Sequence, residues 1–204
     1  MLARRVAGIL LAAGRSERFG ADKLLATLPQ PTGDIAKGTP IAVAAGRKLI
    51  AVLPHSLAVV RPGAALLATR LRKIGLRVVP CPIADQGMSA SLAFGVAGAA
   101  DADAWVIALG DMPWVDTSTI RAVADALASG APLVVPTSAG VRGHPVGFSA
   151  RFGDELTRLT GDRGARSVLA AHAAEVVEVE VDDAGIARDV DTREDLARAA
   201  PRGA

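Results

Sequence analysis

The chain has 204 residues, of which 50% are hydrophobic and 22% are charged, a balance that fits one folded domain and excludes intrinsic disorder. Its single cysteine excludes a disulfide framework and a zinc site built from several cysteines. Because 23 basic and 21 acidic residues leave a net charge of only +2, and 3% of the residues are aromatic, we expect no nucleic-acid partner.

The N-terminal stretch allows two interpretations. Arg4 and Arg5 precede an apolar run over residues 6–13, a pattern that resembles the charged and hydrophobic regions of a secretory signal. The same run fits a buried first strand that leads into a turn at Gly14. No run reaches the roughly 18 apolar residues that a membrane-spanning helix needs. We therefore expect a cytoplasmic protein with no membrane partner.

Short apolar runs alternate with amphipathic stretches along the whole chain, which predicts an α/β fold with a mostly parallel sheet. The predicted strands cover residues 6–11, 57–60, 76–79, 105–109, 133–135, 145–149 and 176–181. The predicted helices cover residues 40–52, 64–74, 89–97, 117–128, 151–159 and 164–171, and a last helix starts near Thr192. Since strand 176–181 alternates valine with glutamate, we expect it at an edge of the sheet.

No linker divides the chain, so we expect a single domain over residues 1–204. Residues 26–40 hold three prolines and two glycines, a composition that predicts a flexible loop. The terminal residues 199–204 are expected to fray.

The strongest local signal lies at residues 11–23, where a buried strand opens into a loop of small residues and cations. The sequence there is Leu-Ala-Ala-Gly-Arg-Ser-Glu-Arg-Phe-Gly-Ala-Asp-Lys. Small residues let the backbone approach a ligand, and arginine and lysine supply the charge that a polyphosphate requires. The spacing fits neither the dinucleotide-binding motif nor the P-loop. The alternative is a solvated turn with surface cations.

A second signal is the sequence Gly-Asp-Met-Pro at residues 110–113. It places Asp111 just past the carboxyl end of an apolar strand, where open α/β sheets bind ligands. A single carboxylate there suits Mg²⁺, which takes one or two carboxylates and completes its shell with water and phosphate. The alternative is a turn before Pro113 that needs no metal.

Five motifs in order along the chain carry a resemblance to a known family. They are L-A-A-G-R-S-x-R-F-G-x-x-K at 11–23, G-D-M-P at 110–113, R-G-H-P-V-G-F at 142–148, G-D-R-G-A-R at 161–166 and D-V-D-T-R-E-D-L at 189–196. Together they resemble the MobA-like nucleotidyltransferases that act on molybdenum cofactor, and within them molybdenum cofactor cytidylyltransferase. The resemblance implies a Rossmann-like three-layer α/β/α fold of the nucleotide-diphospho-sugar transferase type.

The chain differs from relatives that transfer GMP and from the usual length of one loop. Guanylyl relatives carry Gly-Gly where Ala12 and Ala13 stand, and Met where Phe19 stands. The family loop after the lysine is usually short, whereas this chain carries an insertion within residues 27–39, which makes the acceptor less certain than the reaction type.

The resemblance also implies roles for individual residues. Arg15, Lys23 and Asp111 are the candidate catalytic residues, with the two cations stabilising the leaving pyrophosphate and Asp111 binding Mg²⁺. The candidate nucleotide-binding residues are Leu11, Ala12, Ala13, Gly14, Arg15, Lys23, Gln86, Gly87 and Ser89. Ser89 is also a candidate helix N-cap.

Asp191 is a candidate second metal ligand, because the matching region of related transferases returns an acidic or amide residue to the metal. The alternative is that Asp191 is the N-cap of the last helix, with Glu194 completing a capping box. His144, Asp162 and Arg163 are the candidate acceptor-binding residues. Asp162, Arg163 and Arg166 lie at a predicted helix start that suits an anionic pterin phosphate, whereas His144 could instead be a structural residue that holds a turn.

The leading hypothesis is therefore Mg²⁺-dependent transfer of CMP from CTP to a molybdopterin-type cofactor, with release of pyrophosphate. A receiving molybdoenzyme is a possible further partner. Three alternatives stay open: a related transferase that uses GTP or another acceptor, a carrier of molybdenum cofactor, and an NAD(P)-linked oxidoreductase. The last lacks the dinucleotide glycine spacing.

Overall fold

A computed structural model describes residues 4–14, 19, 22–162 and 164–197. Its strands are β1 (Val6–Ala12), β2 (Ser56–Val60), β3 (Arg77–Pro80), β4 (Ala104–Leu109), β5 (Leu133–Ser138), β6 (Val141–Arg142), β7 (Val146–Ser149) and β8 (Val176–Glu180). Its α-helices are α1 (Ile41–Val52), α2 (Ala65–Lys73), α3 (Met88–Gly98), α4 (Thr117–Ala128), α5 (Gly153–Thr157), α6 (Arg166–Ala171) and α7 (Arg193–Ala197). In this part of the chain no helix is long and apolar enough to span a membrane.

The strands form one mixed sheet in the order β3-β2-β1-β4-β7-β5-β6, with β8 paired to β5. Strands β1, β2, β3 and β4 pair in parallel, as do β5 and β8, whereas β7 is antiparallel to both β4 and β5. The predicted α/β fold with a mostly parallel sheet is confirmed, and so is the edge position of β8. The two-residue strand β6 was not predicted, because a pair of residues carries no periodicity.

Helices cover both faces of the sheet, which makes three layers. Neighbouring residues of a strand point to opposite faces, so Leu10 packs in the cluster that contains helix residues Leu49 and Val123. Ile9, one residue earlier, packs in the cluster that contains Leu92 of α3 and Val168 of α6. The unbroken apolar sequence of β1 follows from this burial on both faces.

Residues 26–40, for which the composition predicts a flexible loop, fold back on themselves. Leu28 N–H donates to the carbonyl oxygen of Thr39 at 2.9 Å, and Thr32 and Ile35 exchange two backbone hydrogen bonds of 3.0 Å. Leu28 and Ile35 are buried in a small apolar cluster that also contains Val190. The insertion therefore packs against the segment that carries Asp191, one of the candidate metal ligands.

Candidate active site

The carboxyl ends of β1 and β4 lie side by side and bring the two strongest sequence motifs together. Leu11 pairs with Leu109 across the two strands, and Gly110 N–H donates to the carbonyl oxygen of Leu11 at 2.8 Å. A Cβ on Gly110 would lie 3.0 Å from that oxygen and 3.2 Å from the Cβ of Ala12. Glycine thus permits the close approach that places Asp111 beside the loop after β1.

Lys23 joins the two candidate metal ligands. Its Nζ lies 2.9 Å from Oδ2 of Asp111 and 3.0 Å from Oδ1 of Asp191. The side chain of Lys23 is 10% exposed, that of Asp111 23% and that of Asp191 42%, so the cluster opens towards solvent on the Asp191 side. We call these three residues the acid–lysine cluster.

Local structure fixes each member of the acid–lysine cluster. Lys23 begins a short 3₁₀ turn, and Asp22 caps this turn by accepting a hydrogen bond of 3.2 Å from Leu24 N–H. Asp111 lies two residues past the end of β4, and its carbonyl oxygen accepts a 3.0 Å hydrogen bond from Val190 N–H. This backbone contact holds the segment before Asp191 against the end of β4, although about 80 residues separate the two in sequence.

The electrostatics of the cluster keep Lys23 charged. Burial alone would lower the pKa of the Lys23 ammonium, but the charges and hydrogen bonds of Asp111 and Asp191 outweigh burial, and its pKa is raised above the usual value. The charged ammonium of Lys23 is thus held between the two carboxylates.

The donor set of the cluster fits a divalent metal of the magnesium type. Two carboxylates converge on a single cationic atom, the Nζ of Lys23, which shows that both can face one positive charge. In the described residues no group of three or more His, Cys, Asp or Glu side chains is placed to hold a metal. Two carboxylates, with the other positions filled by phosphate and water, is the ligand set that Mg²⁺ accepts and a structural zinc does not.

The structure shows which residues form the N-cap of the last helix. Helix α7 begins at Arg193, Thr192 Oγ1 accepts from Asp195 N–H at 3.2 Å, and Asp195 Oδ2 accepts from Thr192 N–H at 2.8 Å. The capping box therefore consists of Thr192 and Asp195, one residue beyond the Asp191 and Glu194 pair that was the alternative to a metal-ligand role for Asp191. Asp191 Oδ1 instead contacts Lys23.

This division of roles predicts opposite outcomes for two neighbouring substitutions. Thr192→Ala removes the cap and should lower the free energy of unfolding by about 1 kcal/mol, while turnover stays within about twofold. Asp191→Asn should lower turnover on the order of tenfold or more and leave the unfolding free energy nearly unchanged. Urea denaturation and initial rates measured on both variants check the pair. A loss of stability without loss of turnover in Asp191→Asn would return the cap role to Asp191.

A cleft of about 480 Å³ lies next to the acid–lysine cluster. Six of the predicted site residues line it: Leu11, Ala13, Gly14, Gly87, Asp111 and Asp162. Five further residues line it: Ala84, Asp85, Met88, Ser91 and Leu109. Asp85 and Met88 belong to the segment 85–89, which the resemblance to the family implies lies against the nucleotide, whereas Ala84, Ser91 and Leu109 were not predicted. Met88 and Ser91 are three apart at the start of α3 and share one side of the helix, so a correct helix start would have indicated Ser91.

Four described nucleotide-binding candidates do not line this cleft: Lys23, which lies in the acid–lysine cluster, and Ala12, Gln86 and Ser89. Ala12 is 1% exposed and packs in the core, and Gln86 is exposed beside the cleft wall. Ser89 is fully buried, and its Oγ accepts a 3.1 Å hydrogen bond from Gly164 N–H. Because α3 begins at Met88 with Gly87 as its N-cap, Ser89 is not the cap that the sequence predicts.

The segment 84–89 contacts Gly161, Asp162 and Gly164 at one wall of the cleft. Ser89 N–H donates to the carbonyl oxygen of Gly161 at 3.1 Å. Gly87 has a φ of +108°, and a Cβ there would lie 2.2 Å from Oδ1 of Asp162. Both the positive φ and the close contact require glycine. The contact brings the predicted nucleotide-binding and acceptor-binding motifs into a single wall.

His144, a predicted acceptor residue, lines a different and much smaller cavity. That cavity measures about 10 Å³, room for a single water molecule. The Nδ1 of His144 is buried without a hydrogen-bond partner among the described residues. Burial, with a smaller effect of the Arg166 charge, lowers the pKa of His144, so the ring is neutral at pH 7. The structure thus favours the alternative for His144, a structural role rather than contact with the acceptor.

Two predicted residues cannot be placed in this arrangement. Arg15, predicted to act on the triphosphate, and Arg163, predicted to bind the acceptor, both lie outside the described residues. The ends of both segments are described, and Gly14 and Asp162 each line the cleft.

Comparison with known proteins gives a consistent result. A family model described as the MobA-like NTP transferase domain matches residues 8–176. The structure of Rv0371c from Mycobacterium tuberculosis H37Rv is 30% identical with a TM-score of 0.78, over 97% of this chain and 98% of that one. A complex of Rv0371c with manganese is 27% identical with a TM-score of 0.78, over 98% of this chain and 100% of that one. No curated protein sequence matches the chain.

A more distant structural likeness concerns the fold alone. A nucleotidyl transferase from Methanothermobacter (Mth528) is 21% identical with a TM-score of 0.77, over 95% of each chain. The predicted Rossmann-like fold is confirmed by these structures together with the three layers described above.

Proposed function

Because the chain belongs to the family of MobA-like NTP transferase domains, and is thus a nucleotidyltransferase, we propose that it transfers CMP from CTP to a molybdopterin-type cofactor. One observation at the site supports the proposal. The acid–lysine cluster lies at the edge of a cleft of about 480 Å³ whose wall includes Gly14 and Gly87. A cation and two carboxylates beside glycine backbone suit a triphosphate and its metal.

In the proposed reaction an oxygen of the acceptor phosphate forms a bond to the α-phosphorus of CTP. The bond from that phosphorus to the oxygen bridging to the β-phosphate breaks, and pyrophosphate leaves. Catalysis of this kind depends on positioning and on charge stabilisation rather than on a covalent enzyme intermediate. Lys23, charged and held by two carboxylates, and Arg15 would stabilise the charge that develops on pyrophosphate.

Asp111 and Asp191 would hold the divalent metal, which we propose to be Mg²⁺. When bound, the metal supplies positive charge against the phosphate oxygens. Support comes from the convergence of the two carboxylates on Lys23 Nζ and from the manganese complex of Rv0371c. Asp162 lines the same cleft, where its carboxylate can accept hydrogen bonds from an acceptor, with Arg163 as the proposed partner of the acceptor phosphate.

The methyl group of Ala13 in the cleft wall predicts which nucleotide base the proposed enzyme prefers. Ala13 lines the cleft and carries a methyl group where guanylyl relatives have glycine. This methyl narrows the cleft, and a purine is larger than a pyrimidine, so we expect CTP to be preferred over GTP and ATP by about 100-fold in kcat/KM. Pyrophosphate release measured with each nucleotide and molybdopterin tests the preference. Equal or better turnover with GTP would contradict it.

A pair of alanine substitutions tests the mechanism of that preference. Ala13→Gly should raise the relative use of GTP, because the methyl group at the cleft is removed. Ala12→Gly is the matched control: its methyl packs in the core, so we expect a loss of about 1 kcal/mol of stability and an unchanged CTP-to-GTP ratio. The same shift in both variants would show that the Ala13 methyl does not select the base.

A further inference from the structure

Arg61 lies at the end of β2, beside the loop that follows β1. Strands β1 and β2 are parallel neighbours, and Ala12 pairs with Val60. The residue after Val60 therefore emerges at the same edge of the sheet as the residues after Ala12. The side chain of Arg61 is 33% exposed. No motif of the sequence analysis includes this residue, and the proposed reaction assigns no role to it.

The guanidinium of Arg61 contacts both ends of the segment that carries the loop cations. Its Nη1 donates to the carbonyl oxygen of Gly14 at 3.2 Å, and its Nη2 lies 3.3 Å from Oδ2 of Asp22. Gly14 is the last described residue before residues 15–18, and Asp22 comes directly before Lys23. A planar guanidinium presents its N–H donors in a rigid fork and so meets two separate acceptors in fixed directions, whereas an ammonium is a compact charge with freely rotating donors.

Asp22 links Arg61 to the turn that carries Lys23. While its Oδ2 faces Arg61, its Oδ1 accepts from Leu24 N–H at 3.2 Å and caps the 3₁₀ turn that Lys23 begins. The orientation of the Asp22 carboxylate is therefore shared between Arg61 and the turn. A change at Arg61 should alter how the turn presents Lys23 to Asp111 and Asp191.

We infer that Arg61 is a positioning residue for the triphosphate: it fixes Gly14 and Lys23 relative to one another across the loop. This inference rests on the proposed function, in which the loop and Lys23 bind the phosphates of a nucleoside triphosphate. Arg61 acts through Asp22 and the Gly14 carbonyl, and its effect on the nucleotide depends on both contacts.

A double-substitution experiment tests the inference. Arg61→Met and Asp22→Asn should each raise the Kd for CTP with Mg²⁺ by about tenfold, because a displaced phosphate-binding group loses much of its charge-assisted contact. Asp22→Asn keeps an oxygen for Leu24 N–H and removes the charge that faces Arg61. Since Arg61→Met already breaks the contact with Asp22, the double variant should bind no more weakly than Arg61→Met alone. Arg121→Met, on the exposed side of α4, is the control and should leave Kd unchanged.

A conservative substitution separates positioning from direct attraction of the phosphates. Arg61→Lys keeps the positive charge but lacks the rigid planar donors that meet Gly14 and Asp22 together, so we expect it to recover less than half of the lost binding free energy. Full recovery by lysine, or losses of Arg61→Met and Asp22→Asn that multiply in the double variant, would overturn the inference, because Arg61 would then act as a charge on its own.

Amide exchange of the nucleotide-free protein provides a readout that does not depend on the reaction. In Arg61→Met the Leu24 amide should exchange several-fold faster than in the unmodified protein, whereas Arg121→Met should leave it unchanged. If the unmodified protein binds no nucleoside triphosphate but Leu24 behaves as expected, the proposed function fails, whereas the coupling of Arg61 to the turn that carries Lys23 stands. If CTP binds equally well to Arg61→Met and Leu24 exchange is unaltered, the inference fails and the proposed function stands.

Discussion

Substitution of Asp111 by asparagine is expected to lower turnover by on the order of 100-fold or more, because a charged group that faces the reacting phosphates is lost from a partly enclosed site. The fold should remain intact, since asparagine has the same size and the carbonyl oxygen of residue 111 still accepts from Val190 N–H. Initial rates of pyrophosphate release and a thermal unfolding curve measure the two effects separately.

The matched control for Asp111→Asn is Asp125→Asn, which removes the same charge from an exposed position on α4. We expect its turnover to stay within about twofold of the unmodified protein, since exposed charges far from a site contribute little. Turnover of Asp111→Asn close to that of the control would remove Asp111 from the active site and, with it, the proposed metal position.

Lys23→Ala is expected to have the second large effect, lowering kcat/KM for the nucleotide by on the order of 100-fold. Two consequences combine. The phosphates lose a cation whose pKa the two carboxylates hold above its usual value, and Asp111 and Asp191 lose the ammonium that contacts both of them. Two carboxylates without that cation repel one another, which also disturbs their geometry.

Lys73→Ala removes a lysine from the exposed end of α2 and serves as the control. Its kcat/KM should remain within about twofold of the unmodified value. Small and equal effects of the two substitutions would show that the loop over residues 11–23 is a solvated turn, the alternative that the sequence leaves open. A measured unfolding curve distinguishes loss of function from loss of fold in Lys23→Ala.

The sheet and the position of Asp111 could be predicted because they depend on local sequence. The apolar run of β1 and the turn after β4 each carry their own signal, and parallel strands bring their carboxyl ends to one edge. The contact between Lys23 and Asp191 could not be predicted in this way, because 168 residues separate them. Two long-range contacts of Val190 accompany it, the apolar cluster with Leu28 and Ile35 and the backbone hydrogen bond to Asp111.

Two helix caps differ from what the sequence suggests, the alternative cap at Asp191 and the predicted cap at Ser89, and both differences have one physical cause. Aspartate and serine are good N-caps, and the exact start of a helix depends on tertiary contacts that a short sequence window does not contain. A shift of one residue moved the α7 cap to Thr192 and freed the Asp191 carboxylate for Lys23. An earlier start of α3 placed Ser89 inside the protein, where it bonds to Gly164.

Mass spectrometry of the reaction product tests the central proposal most directly. The protein is incubated with CTP, Mg²⁺ and molybdopterin, and the pterin fraction and the released pyrophosphate are quantified together. We expect a CMP adduct of molybdopterin and pyrophosphate in equal amounts, both abolished by a chelator and both reduced on the order of 100-fold in Asp111→Asn. Unmodified molybdopterin after full incubation, with no pyrophosphate released, would contradict the proposal.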